Sequence, residues 1–117
     1  MKTVGYLFLF LTTINVELSE LPRSVNTDEI SNVEFINACA FSAKIYWHDY
    51  NGQLVEYANL DPGKSHVQQT FVTHPWSANA LSTGEELLFN NNYIFYPTKV
   101  NQTETVYITP GQGLYEQ

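Results

Sequence analysis

Short β-prone stretches separated by turn signals recur from Val33 to Ile108, and this spacing decides the fold class. The strongest signal is Asn51-Gly52, a pair typical of a tight hairpin, and Asp61-Pro62-Gly63 predicts a second turn. No window keeps the i, i+3, i+4, i+7 spacing of an amphipathic helix. The pattern therefore predicts an all-β fold, an antiparallel sandwich or barrel.

The predicted strands are four to ten residues long and rich in β-branched and aromatic side chains. They cover residues 33–37, 43–50, 53–57, 64–73, 86–89, 93–96 and 105–108. Aromatic residues make up 15% of the chain, which excludes a disordered acidic segment. Twelve acidic against five basic residues give a net charge of −7, so we expect no nucleic-acid partner and no anionic lipid partner.

The first twenty residues differ from the rest. Lys2 is followed by an apolar run from Val4 to Leu11 and on to Ile14, the pattern of a secretory signal peptide. The run is too short to span a membrane. Residues 1–20 are therefore predicted as a signal peptide, residues 21–110 as one β domain and residues 111–117 as a C-terminal tail.

This division predicts a secreted protein, and Asn101-Gln102-Thr103 supplies a glycosylation candidate at Asn101. Two alternatives remain open for the N-terminal run. In one alternative the run is an apolar N-terminal strand. In the other the start codon is misplaced in front of an intracellular protein. In either case the protein is cytoplasmic or nuclear.

The sequence offers little for catalysis. His48, His66 and His74 lack the spacing of a metal site, and no Gly-x-Ser-x-Gly elbow or glycine-rich phosphate loop occurs. The single cysteine, Cys39, has no basic residue nearby in sequence to lower its pKa, so we interpret it as a small buried apolar residue. We therefore predict a binding module that is not an enzyme and needs no cofactor or metal.

One stretch combines polar and aromatic residues that suit a binding site. Thr70, Val72, His74 and Trp76 have one parity and would share a face of a strand. Pro75 places the stretch at a sheet edge or a strand end, where an extended peptide can add as a strand. Parity alone favours a plainer interpretation, a core tryptophan with a nearby surface histidine.

Several motifs together carry a family resemblance. They are Leu21-Pro22-Arg23-Ser24-Val25-Asn26, Phe35-Ile36-Asn37, Trp47-His48-Asp49-Tyr50-Asn51-Gly52, Tyr57, Leu60-Asp61-Pro62-Gly63, Thr70-Phe71-Val72-Thr73-His74-Pro75-Trp76, Leu87-Leu88-Phe89-Asn90, Tyr93-Ile94-Phe95-Tyr96-Pro97 and Val106-Tyr107-Ile108-Thr109-Pro110. In this combination the chain resembles the von Hippel–Lindau β-domain family. The resemblance implies a seven-stranded β-sandwich.

The resemblance also implies a ligand, trans-4-hydroxyproline in an extended peptide. It places the pocket on Trp47, Tyr57, Thr70, His74 and Trp76. Aromatic walls would hold the pyrrolidine ring, while the hydroxyl and imidazole side chains would bind its 4-hydroxyl. Asn26 matches a flanking position that holds the peptide backbone.

Three positions depart from the family pattern. Thr70 stands in place of Ser, which keeps the hydroxyl and adds only a methyl group. Gln69 stands in place of His and Asp28 in place of Arg, so we expect altered contacts outside the pocket. Residues 111–117 carry no helix pattern, so nothing in the sequence supports binding of elongin C and a cullin ubiquitin ligase.

Three functional hypotheses follow. In the first, a secreted module binds hydroxyproline-containing proteins such as collagen-like chains. In the second, an intracellular relative captures hydroxylated substrates without the helices that attach the family to its ligase. In the third, the fold serves another purpose, such as binding carbohydrate through exposed aromatic residues.

Overall fold

The computed structural model describes residues 21–111, and the predicted signal peptide and residues 112–117 of the tail lie outside them. The described chain contains seven β-strands. They are β1 (Ile30–Asn37), β2 (Ala43–His48), β3 (Leu54–Leu60), β4 (Ser65–Phe71), β5 (Trp76–Ala80), β6 (Leu88–Phe89) and β7 (Thr103–Thr109). Among residues 21–111, no helix is long and apolar enough to cross a membrane.

The strands form two sheets that pack as a sandwich. One sheet has the order β4-β1-β7-β6 and the other the order β3-β2-β5. All strand pairs are antiparallel except β1 and β7, which run parallel with Phe35 opposite Val106. The predicted all-β sandwich is confirmed, and this single parallel pair is its exception.

Alternation along β1 explains how the core forms. Val33 and Phe35 are fully buried, whereas their neighbours in the strand are only partly buried. The Phe35 ring packs 5.2 Å from the Trp76 ring and 5.5 Å from the Phe89 ring, so it joins both sheets. Complete burial of one such side chain contributes about 1.5–3 kcal/mol.

The two predicted turns are confirmed. Gly52 and Gly63 adopt φ values of 81° and 78°, which glycine reaches without strain. The Asp49 carboxylate accepts hydrogen bonds from the backbone N–H groups of Asn51 and Gln53 at 2.9 and 2.8 Å, which fixes the hairpin between β2 and β3.

A buried amide fastens the start of β2 and the end of β3 to β1. The Asn37 side chain donates to the carbonyls of Phe41 and Leu60 and accepts from the N–H of Cys39. Asn37 is fully buried, so these three bonds satisfy a polar group that would otherwise destabilise the core. Cys39 is also buried, as predicted, and burial raises the pKa of its thiol.

Several predicted strands differ in extent from those in the structure: the stretch 43–50 ends as a strand at His48, and the stretch 86–89 is a strand only over Leu88–Phe89. The stretch 64–73 ends as a strand at Phe71, because the chain turns there and Thr73 adopts a φ of 82°. The stretch 93–96 is not a strand, and pairs with β5 only where Phe95 and Trp76 exchange two backbone hydrogen bonds of 2.9 Å. A β-prone composition therefore does not reveal where the backbone ladder stops.

Candidate ligand-binding site

The turn between β4 and β5 carries the chain from one sheet to the other. Its backbone is fixed at both ends, because Val72 donates to the Glu29 carbonyl at 3.0 Å and the Pro75 carbonyl accepts from His48 at 3.0 Å. The Thr73 hydroxyl donates to the Val25 carbonyl at 3.0 Å. These bonds hold the intervening His74 in one position.

A pocket of about 190 Å³ opens beside this turn. It lies where β3 and β4, each at the edge of its sheet, come together. The pocket is smaller than the usual range of about 300–1,000 Å³ for drug-sized ligands, so it suits one small ring or side chain. The lining residues are Trp47, Tyr50, Tyr57, Gln69, Thr70, Phe71, His74 and Trp76.

The lining residues differ in depth. Thr70, His74 and Trp76 are buried, with 4%, 3% and 1% of their surface exposed. Tyr50 and Tyr57 are exposed by 46% and 44% and therefore form the rim. The pocket thus presents polar groups at its inner end and aromatic side chains around its mouth.

The Thr70 hydroxyl is held by the indole beneath it. Trp76 Nε1 donates a hydrogen bond of 3.1 Å to Thr70 Oγ1. An indole nitrogen is a donor only, so the threonine oxygen is the acceptor and its own hydrogen remains free to donate. Within residues 21–111 that hydroxyl hydrogen has no acceptor.

A second indole fixes the state of His74. Trp47 Nε1 donates to His74 Nδ1 at 3.1 Å, so Nδ1 carries no proton and Nε2 of the neutral ring is a donor. Burial lowers the pKa of His74, and the nearby Val25 carbonyl partly opposes that effect. Nε2 is buried on the side of the Val25 carbonyl, and its geometry completes no hydrogen bond among the described residues.

The aromatic rings support one another at nearly perpendicular angles. Trp47 contacts Tyr50 and Tyr57 with ring centroids 5.8 and 6.2 Å apart, and Tyr57 contacts Trp76 at 5.1 Å. Such edge-to-face pairs are favourable because the positive edge of one ring meets the negative face of another. The walls are therefore held in place before any ligand binds.

The predicted site residues are largely brought together. Trp47, Tyr57, Thr70, His74 and Trp76 all line the pocket. Asn26 is exposed and does not line it. Asn26 instead follows Val25, whose carbonyl is bonded to the turn.

Alternation along a single strand predicted that Thr70 and Trp76 are neighbours, which is correct, but the reason is different. Thr70 belongs to β4 and Trp76 to β5, in different sheets, and they meet because the chain turns between them. The plainer interpretation, a core tryptophan with a nearby surface histidine, is half correct. Trp76 is a core tryptophan, but His74 is buried and not a surface residue.

Three lining residues, Tyr50, Gln69 and Phe71, were not predicted as part of the pocket. Tyr50 lies immediately before the hairpin pair Asn51-Gly52, and its ring packs against His74 with centroids 5.5 Å apart. Gln69 and Phe71 flank Thr70 on β4. A search of the neighbours of each predicted residue would have found the last two.

A larger groove of about 530 Å³ lies on the other side of the β4–β5 turn. It is lined by residues that include Arg23, Val25, Val72 and Tyr96. It is shallow, and none of its lining residues offers a buried polar side chain without a partner. The smaller pocket therefore has the stronger chemical features of a specific site.

No group of three or more His, Cys, Asp or Glu side chains in residues 21–111 is arranged to hold a metal ion.

A β-sandwich with a small aromatic pocket and polar groups at its inner end has the architecture of a ligand-binding module. The sequence matches the family model of the VHL beta domain over residues 22–103, which includes every residue that lines the pocket. The chain therefore belongs to the von Hippel–Lindau β-domain family, as the resemblance predicted. The VHL beta domain is the substrate-recognition domain of a ubiquitin ligase, and it binds protein substrates.

Proposed function

We propose that the pocket binds the side chain of 4-hydroxyproline within an extended peptide, and that the chain recognises proteins without catalysing a reaction on them. One observation carries the proposal. The Thr70 hydroxyl is a buried hydrogen-bond donor without an acceptor in the described chain, and Thr70 lines one aromatic pocket together with the buried imidazole of His74.

A hydroxylated proline fits this arrangement. The pyrrolidine ring is apolar and flat enough to pack against Trp47 and Tyr57, whose rings stand nearly perpendicular to each other. The 4-hydroxyl brings an oxygen that accepts a hydrogen bond from the Thr70 hydroxyl, beside the His74 ring. Unmodified proline brings a carbon–hydrogen group and leaves that donor unpaired.

The size of the discrimination follows from hydrogen-bond energetics. An unpaired buried polar group costs about 1–3 kcal/mol. Sites that hydrogen-bond a hydroxyl reject the analogue without it much more strongly than sites that only measure size. We therefore expect the unmodified peptide to bind about five-fold to 150-fold more weakly.

The test is a calorimetric titration of the purified protein with two peptides that differ only in the 4-hydroxyl of one proline. The proposal expects tight binding of the peptide with trans-4-hydroxyproline and weak binding of the proline peptide. A third peptide with cis-4-hydroxyproline is the matched control, because it keeps the oxygen but points it away from the Thr70 hydroxyl.

Equal affinity for all three peptides would overturn the proposal. Binding of glycans without any binding of peptides would instead favour a carbohydrate module. Either result is obtained with wild-type protein, so no question of misfolded variants arises.

We further propose that the protein acts outside the cell, on the strength of the N-terminal apolar run in the sequence. Asn101 is exposed in a turn before β7 and is therefore accessible to a glycosyltransferase. Expression of the full chain in a eukaryotic secretory host tests this. A processed product in the medium with a glycan on Asn101 supports export, and an unprocessed cytosolic product contradicts it.

A further inference from the structure

One wall of the pocket depends on the protonation state of a buried histidine. Trp47 Nε1 donates a hydrogen bond of 3.1 Å to His74 Nδ1, and only a neutral imidazole has a nitrogen that can accept it. The charged imidazolium ring has a hydrogen on both nitrogens, so it offers no acceptor in either orientation of the ring. Protonation of His74 therefore removes the hydrogen-bond partner of the Trp47 indole.

The surroundings of His74 contain one carbonyl and no counter-ion. The ring is 3% exposed and packs against Trp47 and Tyr50 from β2 and the turn after it, at centroid distances of 5.7 and 5.5 Å. On the β4 side it meets the apolar ring of Phe71 at 5.1 Å, and the segment before β1 contributes the Val25 carbonyl. Tyr50 is therefore the titratable side chain among these neighbours. No charged side chain of residues 21–111 shifts the pKa of His74, which burial lowers and the Val25 carbonyl raises to a smaller extent.

A ligand in the pocket would make a charge on His74 more costly, for two reasons. His74 lines the pocket of about 190 Å³, so an apolar ring bound there would exclude water from the imidazole, and a charged group that loses water is destabilised. Trp47 lines the same pocket. An indole that has lost its hydrogen bond must be ordered again when the ligand binds, which lowers the affinity.

We infer that the protein releases its ligand when its surroundings become acidic, because only the neutral ring of His74 accepts the hydrogen bond that fixes Trp47. This inference rests on the proposed function and adds a regulation to the same site. Ligand binding and proton binding then oppose each other, and by linkage each weakens the other to the same extent.

The direction and the limit of the effect follow from the titration of one ring. The pKa of His74 lies below its usual value of 6.5, so the ring is neutral at pH 7.5 and becomes charged as the pH falls through that pKa. The full affinity is therefore present above about pH 6.5 and is lost below it. Because one proton is involved, the affinity can fall by no more than about ten-fold for each pH unit.

Calorimetric titration at pH 7.5 and 5.0 tests the inference with a hydroxyproline peptide that contains no Asp, Glu or His and has blocked termini. Only the protein can then titrate. We expect the affinity to be about ten-fold lower at pH 5.0, the equivalent of one lost hydrogen bond, with circular dichroism confirming the fold at both values. Equal affinity at the two pH values, or tighter binding at pH 5.0, overturns the inference.

Two variants locate the effect. In His74→Asn the amide oxygen can lie near the place of Nδ1 and accepts a hydrogen bond at either pH, so the ratio of the two affinities should fall below about two-fold. The matched control, His48→Gln, removes the other buried histidine, which bonds Ser77 at 2.8 Å and does not line the pocket. It should keep the wild-type ratio. A ratio that persists in His74→Asn, or that disappears in His48→Gln, overturns the inference.

A measurement on the wild-type protein does not depend on how the variants fold. Histidine NMR signals followed against pH give the pKa of His74 in the free and in the peptide-saturated protein, and we expect a lower pKa in the complex. In the free protein the Trp47 indole signal should move with the same midpoint as His74. An equal pKa in both states, or an indole signal that does not follow His74, contradicts the inference.

The outcomes separate the two proposals. Equal binding of hydroxylated and unmodified peptides at pH 7.5 overturns the proposed function, and the acid release with it. A clear hydroxyl preference at pH 7.5 combined with an affinity that does not change between pH 7.5 and 5.0 leaves the function intact and overturns the acid release alone.

Discussion

Replacing Thr70 with valine is the sharpest perturbation of the site. The two side chains have nearly the same shape, so Thr70→Val removes one hydroxyl from a position that is only 4% exposed. That hydroxyl accepts a hydrogen bond from Trp76 Nε1 and, in our proposal, donates one to the ligand. The substitution therefore acts on both the free protein and the complex.

The two effects have separate magnitudes. In the free protein the Trp76 indole, which is 1% exposed, loses its acceptor, and we expect the free energy of unfolding to fall by about 1–3 kcal/mol. Most domains have a free energy of unfolding of about 5–15 kcal/mol, so the variant should still fold. In the complex, the preference for the hydroxylated peptide should fall by about ten-fold, because the Thr70 donor to the ligand hydroxyl is gone.

Urea unfolding measures the first effect, and calorimetry with the hydroxyproline and proline peptides measures the second. Thr70→Ser is the matched control, because it restores the hydroxyl and removes only a methyl group. It should recover most of the hydroxyl preference. A Thr70→Val protein that folds and keeps the full wild-type preference would refute the role we give this hydroxyl.

Three further predictions concern stability. Burial lowers the pKa of both His48 and His74 below 6.5, so the unfolded chain binds protons that the folded chain does not. The free energy of unfolding should therefore decrease as the pH falls below about 6.5. Urea titrations at pH 7.5 and 5.0 measure this decrease, which should be smaller in His48→Gln than in the wild-type protein. An equal decrease in both proteins would contradict the role given to His48. Phe35→Ala should lower the free energy of unfolding by about 3–5 kcal/mol, whereas a loss below 1 kcal/mol would mean that this ring does not join the two sheets. Asn37→Leu should cost at least about 2 kcal/mol in the same assay because it leaves three backbone groups unpaired, and a neutral effect would contradict the buried amide link.

The sequence was informative where local chemistry decides the structure. The hairpin at Asn51-Gly52 and the alternation along β1 follow from backbone preference and burial, and both are present. The parallel pairing of β1 with β7 was not predicted, because it joins segments that are distant in sequence and no local pattern specifies it.

The site likewise combines features that the sequence predicted with features that only the folded chain shows. Its five predicted lining residues came from family resemblance, since parity alone placed Thr70 and Trp76 on one strand. The hydrogen bonds from the two indoles to Thr70 and His74 depend on a turn between sheets, which only the folded chain reveals. Those bonds determine which polar hydrogens are left for a ligand.

The two tryptophans allow the central claim to be tested directly. Trp47 and Trp76 are the only tryptophans in the chain and both line the pocket, so an ¹H–¹⁵N spectrum contains two indole signals that report on it. Titration with the hydroxyproline peptide should shift both signals, and the same concentration of the proline peptide should leave them nearly unchanged. Binding of the hydroxyproline peptide that shifts backbone signals elsewhere but neither indole signal would contradict the account.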